Sequence, residues 1–412
     1  MNRASHIILA VLVTALFMAS VQSCVARRDE FALYPTQQGV PLPGKIRVLL
    51  AVGEACKLKV SGGYEITAGN RVLFADSLPM PEATVNPFPG GMAINTESIK
   101  SSRVEVSPTR DGSLVVNGRE YHGSLRLVSR ADRGLMVVNV LELEDYVAGV
   151  VAGEMPSLWP MAALKAQAIA ARTYALYRAR ERAAWDYDVS AGTGDQVYGG
   201  ISAETSSARE SARQTRGVVL LYDWKFLPAY YHAVCGGHTA HSKIIFDSTD
   251  IAPLAGVDCP WCNPDAQGAS AAKIQKFYRW QATEPQAGLL AAFAKQGRKL
   301  QSIDAIVPIG PDAGGHAGEL EIRPGSLPGS ASAERPFRME VDAFRGIVGY
   351  GKLISPSFIC TKNGDTFVIS GRGYGHGVGM CQWGARGMAI AGYGTAAIIG
   401  HYYPGAEIVK VF

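Results

Sequence analysis

The sequence predicts an α+β fold: a β-rich N-terminal part, a central helix pair, and a C-terminal strand, glycine loop and helix. Three observations predict it. From Lys45 onward, short β-type runs alternate with Gly, Asn, Asp and Pro turns. At the centre, apolar residues at 143, 146, 147, 150 and 151 recur at helical spacing, and an alanine-rich helical pattern follows Pro160. Near the C-terminus, a strand pattern, a run of alternate glycines and a second helical pattern follow one another within residues 366–395.

Composition sets the outer bounds. The 412 residues are 47% apolar and 18% charged, a globular composition that can bury a large core and excludes disorder as a general description. Glycine is abundant, 46 residues, but no Gly-X-Y period accompanies it, so it belongs to turns and tight loops. Lys and Arg number 40 against 36 Asp and Glu, a net charge of +4 with no basic stripe, which excludes a nucleic-acid partner. The seven cysteines are too sparse for a small disulfide scaffold.

Taken in order, residues 1–23 read as an export signal. Arg3 and His6 precede the apolar run Ile7–Ala19, broken only by Thr14, and small residues Ala19, Ser20 and Ser23 follow. The run is short for a membrane span, which needs about 20 residues. Val21-Gln22-Ser23-Cys24 resembles a bacterial lipobox, in which Cys24 would become a lipidated membrane anchor, although Gln22 is bulkier than such motifs favour. Plain secretion and a retained anchor are the alternatives; each places the protein in the cell envelope or beyond. Residues 24–44, with Arg27-Arg28-Asp29-Glu30, Pro35, Pro41, Pro43 and Gly44, read as a tether. One domain then spans 45–412, β-rich over 45–130, with the core of the protein in 131–412.

Strands are expected at Ile46–Leu50, Lys57–Val60, Ser102–Val106, Leu114–Val116 and Leu125–Val128. The first central helix ends at Gly153. Pro160 opens the second, which runs through Leu164, Ala168, Ala171, Ala175 and Ala179, an alanine face suited to close packing. Its polar residues Lys165, Gln167, Arg172 and Tyr174 read as a solvated face. Further helices are expected near 203–214 and 284–296. The Gly-, Pro- and Ser-rich stretch Asp312–Arg335 reads as a loop or insertion, and Thr366–Ser370 as a strand.

Between the central helices lies Val151-Ala152-Gly153-Glu154-Met155-Pro156. Glu154 follows a helix C-terminus, the negative end of the dipole, among Val150, Val151, Met155, Leu158 and Trp159. Both features disfavour the carboxylate, and a raised pKa suits a general acid. An exposed interhelical Glu, or one capping the next helix, is the plainer alternative.

The segment Leu141-Glu142-Leu143-Glu144-Asp145-Tyr146-Val147, then Gly153-Glu154-Met155-Pro156, Trp159-Pro160 and Ala163-Leu164-Lys165-Ala166-Gln167-Ala168 to Ala171-Arg172-Thr173-Tyr174, resembles the signature of the SpoIID/LytB family. That family comprises stage II sporulation protein D and the amidase enhancers. Gln196-Val197-Tyr198-Gly199-Gly200, Thr215-Arg216-Gly217, Tyr231-His232-Ala233-Val234-Cys235-Gly236-Gly237-His238-Thr239, Gly373-Tyr374-Gly375-His376-Gly377-Val378-Gly379-Met380, Gln382-Trp383-Gly384-Ala385 and Tyr402-Tyr403-Pro404-Gly405 extend the match over residues 45–412.

The resemblance implies a peptidoglycan lytic transglycosylase acting on glycan strands stripped of stem peptides, with 131–412 as catalytic core. Glu154 matches the family's acid/base. It would protonate the oxygen between N-acetylmuramic acid and N-acetylglucosamine, then take a proton from the sugar's own C6 hydroxyl, which closes a 1,6-anhydro ring. No second carboxylate is needed, whereas glycoside hydrolases usually use a pair. Glu142, Glu144 and Asp145 are candidates for such a partner, although Glu144 and Asp145 also suit a helix N-terminus. Within the match, Gln167, Arg172, Tyr174, His376 and Gln382 are candidate substrate-binding residues; an Arg can grip the lactyl carboxylate of muramic acid. The second reading is a non-catalytic amidase enhancer, which binds peptidoglycan and works with a separate N-acetylmuramoyl-L-alanine amidase. A zinc hydrolase is disfavoured because no His-Glu-x-x-His occurs.

Cys235, His238, Cys259 and Cys262 have zinc-ligand spacing and would form a closed structural site. Some relatives carry zinc near this Cys-Gly-Gly-His segment. A disulfide is the rival in an exported protein. Cys259-Pro260-Trp261-Cys262 mimics a thioredoxin motif, but no βα pattern surrounds it. The alternate glycines 371, 373, 375, 377 and 379 fail the Gly-x-Gly-x-x-Gly register, and no Gly-Lys-Ser/Thr follows, so this is not a nucleotide loop. Either the loop lets its backbone approach a ligand, with His376 in the cleft, or it allows close packing with His376 in the core. Cys381 reads as an inert thiol. Cys56 and Cys360 have no assigned partner, and a disulfide between them is one option.

Overall fold

The computed structural model describes residues 42–109, 112–325 and 335–412. The expected export signal, Cys24 and the tether up to residue 41 lie outside the described residues. Among the described residues no helix is long and apolar enough to cross a membrane.

The fold is α+β, as expected. The N-terminal part is built on two packed sheets, antiparallel except for Val189–Ser190, which joins the edge of one of them parallel to Ile46–Gly53. One holds six β-strands, from Cys56–Val60 to Arg119–Tyr121. The other holds seven, with Ile46–Gly53 antiparallel to Gly134–Leu141. Leu58, Val85, Val104, Leu114, Leu125 and Val137 lie between them and are buried. This part reaches Leu141, beyond the expected boundary at 130. The strand Gly134–Leu141 is buried almost throughout and runs straight into the helical core. Such a strand has no polar alternation to mark it.

The helices in chain order are α1 (Leu143–Glu154), α2 (Met161–Glu181), α3 (Ser206–Gln214), α4 (Ser242–Phe246), α5 (Ala271–Tyr278), α6 (Gln286–Lys295), α7 (Val341–Val348), α8 (Gln382–Ile390) and α9 (Thr395–Tyr402). Helix α1 is one residue longer than expected, so Glu154 is its last residue. Helix α2 is central. Its alanines 163, 166, 168, 170, 171 and 175 are buried on every side, and α1, α3, α8 and α9 pack around it. Small side chains let that many neighbours approach one axis.

The expected solvated face of α2 is therefore absent at three positions: Gln167 and Arg172 are fully buried and Tyr174 is buried as well. Arg172 donates from Nε to Glu144 Oε1 at 2.9 Å and from Nη2 to Glu144 Oε2 at 2.6 Å. Its remaining donors reach the carbonyls of Ala212 and Val218. This two-point ion pair ties α1, α2, α3 and the strand Val218–Tyr222 together. It also gives Glu144 a structural partner, so Glu144 is not a free second carboxylate.

A second unit occupies residues 280–371. It contains two three-stranded antiparallel sheets with α6 and α7, around a separate core that includes Leu289, Phe293, Ile306, Phe344 and Ile369. The stretch expected as a loop at Asp312–Arg335 includes the strand Glu319–Gly325 at the centre of one sheet. Residues 326–334 lie outside the described residues. The option of a Cys56–Cys360 disulfide is overturned: Cys56 is buried in the first core, Cys360 packs on the second, and both are free.

The ion pair on α2 makes a prediction. Arg172→Met should cost about 3 kcal/mol, because it leaves Glu144 facing the protein without its cation. Adding Glu144→Leu should recover part of that loss in urea unfolding.

Candidate active site and thiol cluster

Glu154 is partly buried at the end of α1. Glycine spacing on α1 brings its partner close. A Cβ at Gly149 would lie 2.5 Å from the Tyr198 ring, and one at Gly153 would lie 2.6 Å from the Val197 carbonyl. The segment 196–199 can therefore lie directly on the helix, and Val197 N–H donates to Glu154 Oε1 at 2.8 Å. Gln382 Nε2, at the first position of α8, donates to Oε2 at 3.1 Å. The Tyr231 hydroxyl also favours the ionised form of this carboxyl. Burial raises the Glu154 pKa above its ordinary value, and these three groups pull the other way without cancelling it. No Asp, Glu, Lys, Arg or His is among the groups that shift it.

The expected substrate-binding residues separate. Gln382 touches Glu154. Gln167 accepts from Gln382 Nε2 at 3.4 Å, while its own Nε2 has no partner among the described residues. Arg172 is committed to Glu144, so no fork remains for a ligand carboxylate. Tyr174 donates to Asp195 Oδ1 at 2.9 Å, inside a network that includes Arg178 and Arg182. Arg172 and Tyr174 thus hold the scaffold.

His376 lies elsewhere. Its Nδ1 accepts the Val378 N–H at 3.0 Å, and its ring packs beside Tyr230, His232 and Phe246. Burial lowers its pKa to about 4, so the ring is neutral near pH 7. It borders a cavity of about 650 Å³ that also touches Phe246, Glu340, Asp342 and Arg345, between the two units. The glycine loop serves close packing. Gly373, Gly375, Gly377 and Gly379 have φ between 71° and 101°. A Cβ at Gly379 would sit 2.0 Å from the Tyr230 carbonyl.

The cysteines converge, but not as the spacing predicts. Cys235, Cys259, Cys262 and Cys381 are fully buried, with their four sulfurs all within 4.8 Å of one another. The Cys235–Cys262 sulfur separation is 3.4 Å. That far exceeds a disulfide bond of about 2.05 Å and approaches the spacing of about 3.8 Å between thiolates sharing a tetrahedral ion. The amides of Cys235 and Gly384 each donate to Cys381 Sγ at 3.3 Å, and Tyr402 Oη lies 3.1 Å from Cys259 Sγ. Such donors favour thiolates. Four sulfurs with no open position suit a closed structural metal.

His238 is displaced from the expected ligand set. Its Nδ1 is 2.6 Å from the Thr239 carbonyl, and its Nε2 faces Asp258 at 4.0 Å. The fourth position belongs to Cys381, which spacing could not reach because it lies 119 residues beyond Cys262. The Cys-Pro-Trp-Cys segment forms a 3₁₀ turn, Pro260–Cys262, with no strand–helix setting of a thioredoxin site. Val197, Gln196 and Tyr231 also escaped the residue-level reading, although each falls in a segment that carried the family resemblance.

Comparison with known proteins follows this geometry. The family model described as Stage II sporulation protein matches residues 131–222. An uncharacterized protein of Brachyspira hyodysenteriae is 34% identical over 77% of this chain and 80% of its own length. Stage II sporulation protein D of Bacillus subtilis is 28% identical over 82% of this chain and 93% of its own. The amidase enhancer of the same organism is 28% identical over 77% of this chain, which spans 48% of that longer protein. With the motifs in order around Glu154 and this extent of similarity, the chain belongs to the SpoIID/LytB family.

Proposed function

We propose that this protein is an exported, cell-wall-acting lytic transglycosylase that cuts peptidoglycan glycan strands, with Glu154 as its single acid/base. The observation that carries this reading is the state of Glu154: a desolvated carboxyl held by neutral donors, with no second carboxylate among the groups that shift it. Protonated Glu154 gives its proton to the oxygen between N-acetylmuramic acid and N-acetylglucosamine. The C1–O bond breaks, the C6 hydroxyl of the same muramic residue attacks C1, and the Glu154 carboxylate receives the C6 hydroxyl proton. A 1,6-anhydro ring forms and no water is consumed. A water-using glycosidase would need a second carboxylate at about 5–9.5 Å. Trp159 and Trp383 follow Glu154 and Gln382 in sequence and pack edge to face at 5.0 Å, offering an apolar surface for sugar rings.

Incubation with glycan strands freed of stem peptides should release anhydromuramyl products detectable by mass spectrometry. Glu154→Gln should reduce the rate by about a thousandfold, within the range for losing a general acid. Full activity in that variant would refute the assignment. Absence of cleavage by the wild type, together with faster turnover of an added amidase, would favour the amidase-enhancer reading suggested by one relative.

The raised pKa of Glu154 carries a sign that can be checked. The folded state holds this proton more tightly than the unfolded chain, so stability falls as pH rises from the ordinary carboxyl value to the raised one. Glu154→Gln should therefore melt above the wild type at pH 7, and the gap should narrow toward pH 4.

We also infer a structural zinc ion held by Cys235, Cys259, Cys262 and Cys381. The purified protein should contain one equivalent of zinc by elemental analysis. Cys381→Ser should lose it and His238→Ala should keep it; the reverse outcome would restore the ligand set read from spacing.

A further inference from the structure

We propose that the outer face of α8 is a glycan-binding strip, which carries the sugar units of a strand away from the bond that Glu154 cuts. The inference rests on the glycan-cutting reading given above. Helix α8 starts at the acid/base, since Gln382 donates to Glu154 Oε2 at 3.1 Å. One residue on, Trp383 packs edge to face on Trp159. Residues 383, 386, 387 and 390 then share one face of the helix. From Trp383 to Ile390 that face extends about 10 Å.

The groups along it suit a sugar chain. The Arg386 guanidinium sits over the rings of Trp383 and Trp159, 5.4 and 5.8 Å from their centroids. A Cβ at Gly387 would lie 2.1 Å from the Trp261 carbonyl, so the turn Pro260–Cys262 lies directly on the helix. The Trp261 ring packs on Tyr393 with centroids 5.1 Å apart. Ile390 and Tyr393 are 49% and 43% exposed. Large side chains left open in one continuous row mark a binding surface.

A single buried side chain fixes the parts of this row. Gln267 donates from Nε2 to the Trp261 carbonyl at 2.6 Å and to the Trp383 carbonyl at 3.0 Å, and its Oε1 accepts from Arg386 Nη1 at 2.7 Å. Arg386 also donates to Ser270 Oγ at 3.2 Å, and among the described residues no Asp or Glu pairs with it. The strip therefore offers aromatic faces and one uncompensated positive charge. A glycan strand matches both. Sugar rings stack their C–H faces on aromatic rings, and each muramic unit without a stem peptide carries a lactyl carboxylate. Continuity with Glu154 through Gln382 and Trp383 makes the strand the occupant, in preference to a partner protein.

The test measures binding of end-labelled glycan strands, freed of stem peptides, to the full chain carrying Glu154→Gln, by fluorescence anisotropy. Adding Tyr393→Ala should weaken binding about tenfold, and Tyr393→Trp should restore it. Ile390→Asp should weaken binding by about as much, and that loss should shrink for strands whose lactyl carboxyls are methyl-esterified. Both side chains are exposed, so the variants should melt with the parent, and either one serves if the other does not. Unchanged strand binding in the folded variants would overturn the proposal, as would absence of strand binding by the parent. Loss of amidase stimulation with strand binding intact would make this face a protein interface and overturn it equally. The measurement needs no cleavage. Strand binding that depends on Tyr393, in a wild type that cuts no glycan, would therefore sink the acid/base reading alone.

Discussion

Two residues of parallel strand pairing, Tyr231–His232 against Met380–Cys381, decide most of what happens around Glu154. The pairing joins segments about 150 residues apart. It sets Tyr231 beside the segment that leads into Gln382, the donor to Glu154 Oε2. It also brings Cys381 to Cys235. Main-chain bonds this short need the backbones to meet without side chains between them. The glycine loop supplies that: Cβ atoms at Gly373 or Gly379 would collide with the carbonyls of Val234 or Tyr230. The excess of glycine in the composition is therefore partly a requirement of this one junction.

The same economy governs α2. Alanines let several helices approach it, and the resulting burial removes water from Arg172, Gln167 and Gln196. Each buried polar group must then find protein partners. Arg172 is satisfied by Glu144 and by carbonyls; Gln196 is satisfied by two tyrosines and a carbonyl. Where satisfaction is incomplete, as at Glu154, burial leaves a carboxyl that holds its proton above its ordinary range. Packing of small residues at the centre thus produces the electrostatics of the site.

Local pattern made much of this legible. Helical spacing at 143–151, Pro160 before α2, and the alternation of the early strands follow from contacts within a few residues. Helix α1 overshot its expected end by one residue because Glu154 still closes a turn. The buried strand Gly134–Leu141 and the inserted unit were not legible, the first because it lacks polar alternation, the second because its turn-rich sequence hides a sheet. Long-range chemistry was harder still. Arg172 looked like a ligand-binding side chain because its partner lies 28 residues back. His238 looked like a ligand because spacing cannot tell that its ring turns toward Thr239. Cys381 looked inert for the opposite reason: only the strand pairing brings it to the other three sulfurs.

The second unit enters at Trp280 and leaves at Gly371, two residues paired with each other across adjacent strands. Its entry and exit are therefore side by side, and it returns to the rest of the chain at Asp312, which accepts the His241 N–H at 3.0 Å, and at Ile354, whose carbonyl accepts the Gly375 N–H. Trp280 closes the base by donating from its indole nitrogen to the Gly373 carbonyl at 3.0 Å. A module attached in this way can be lengthened, shortened or exchanged while the strand pairing beyond Gly371 keeps its register. Because entry and exit are adjacent, a change of length between Trp280 and Gly371 leaves the pairing of Tyr231–His232 with Met380–Cys381 in register.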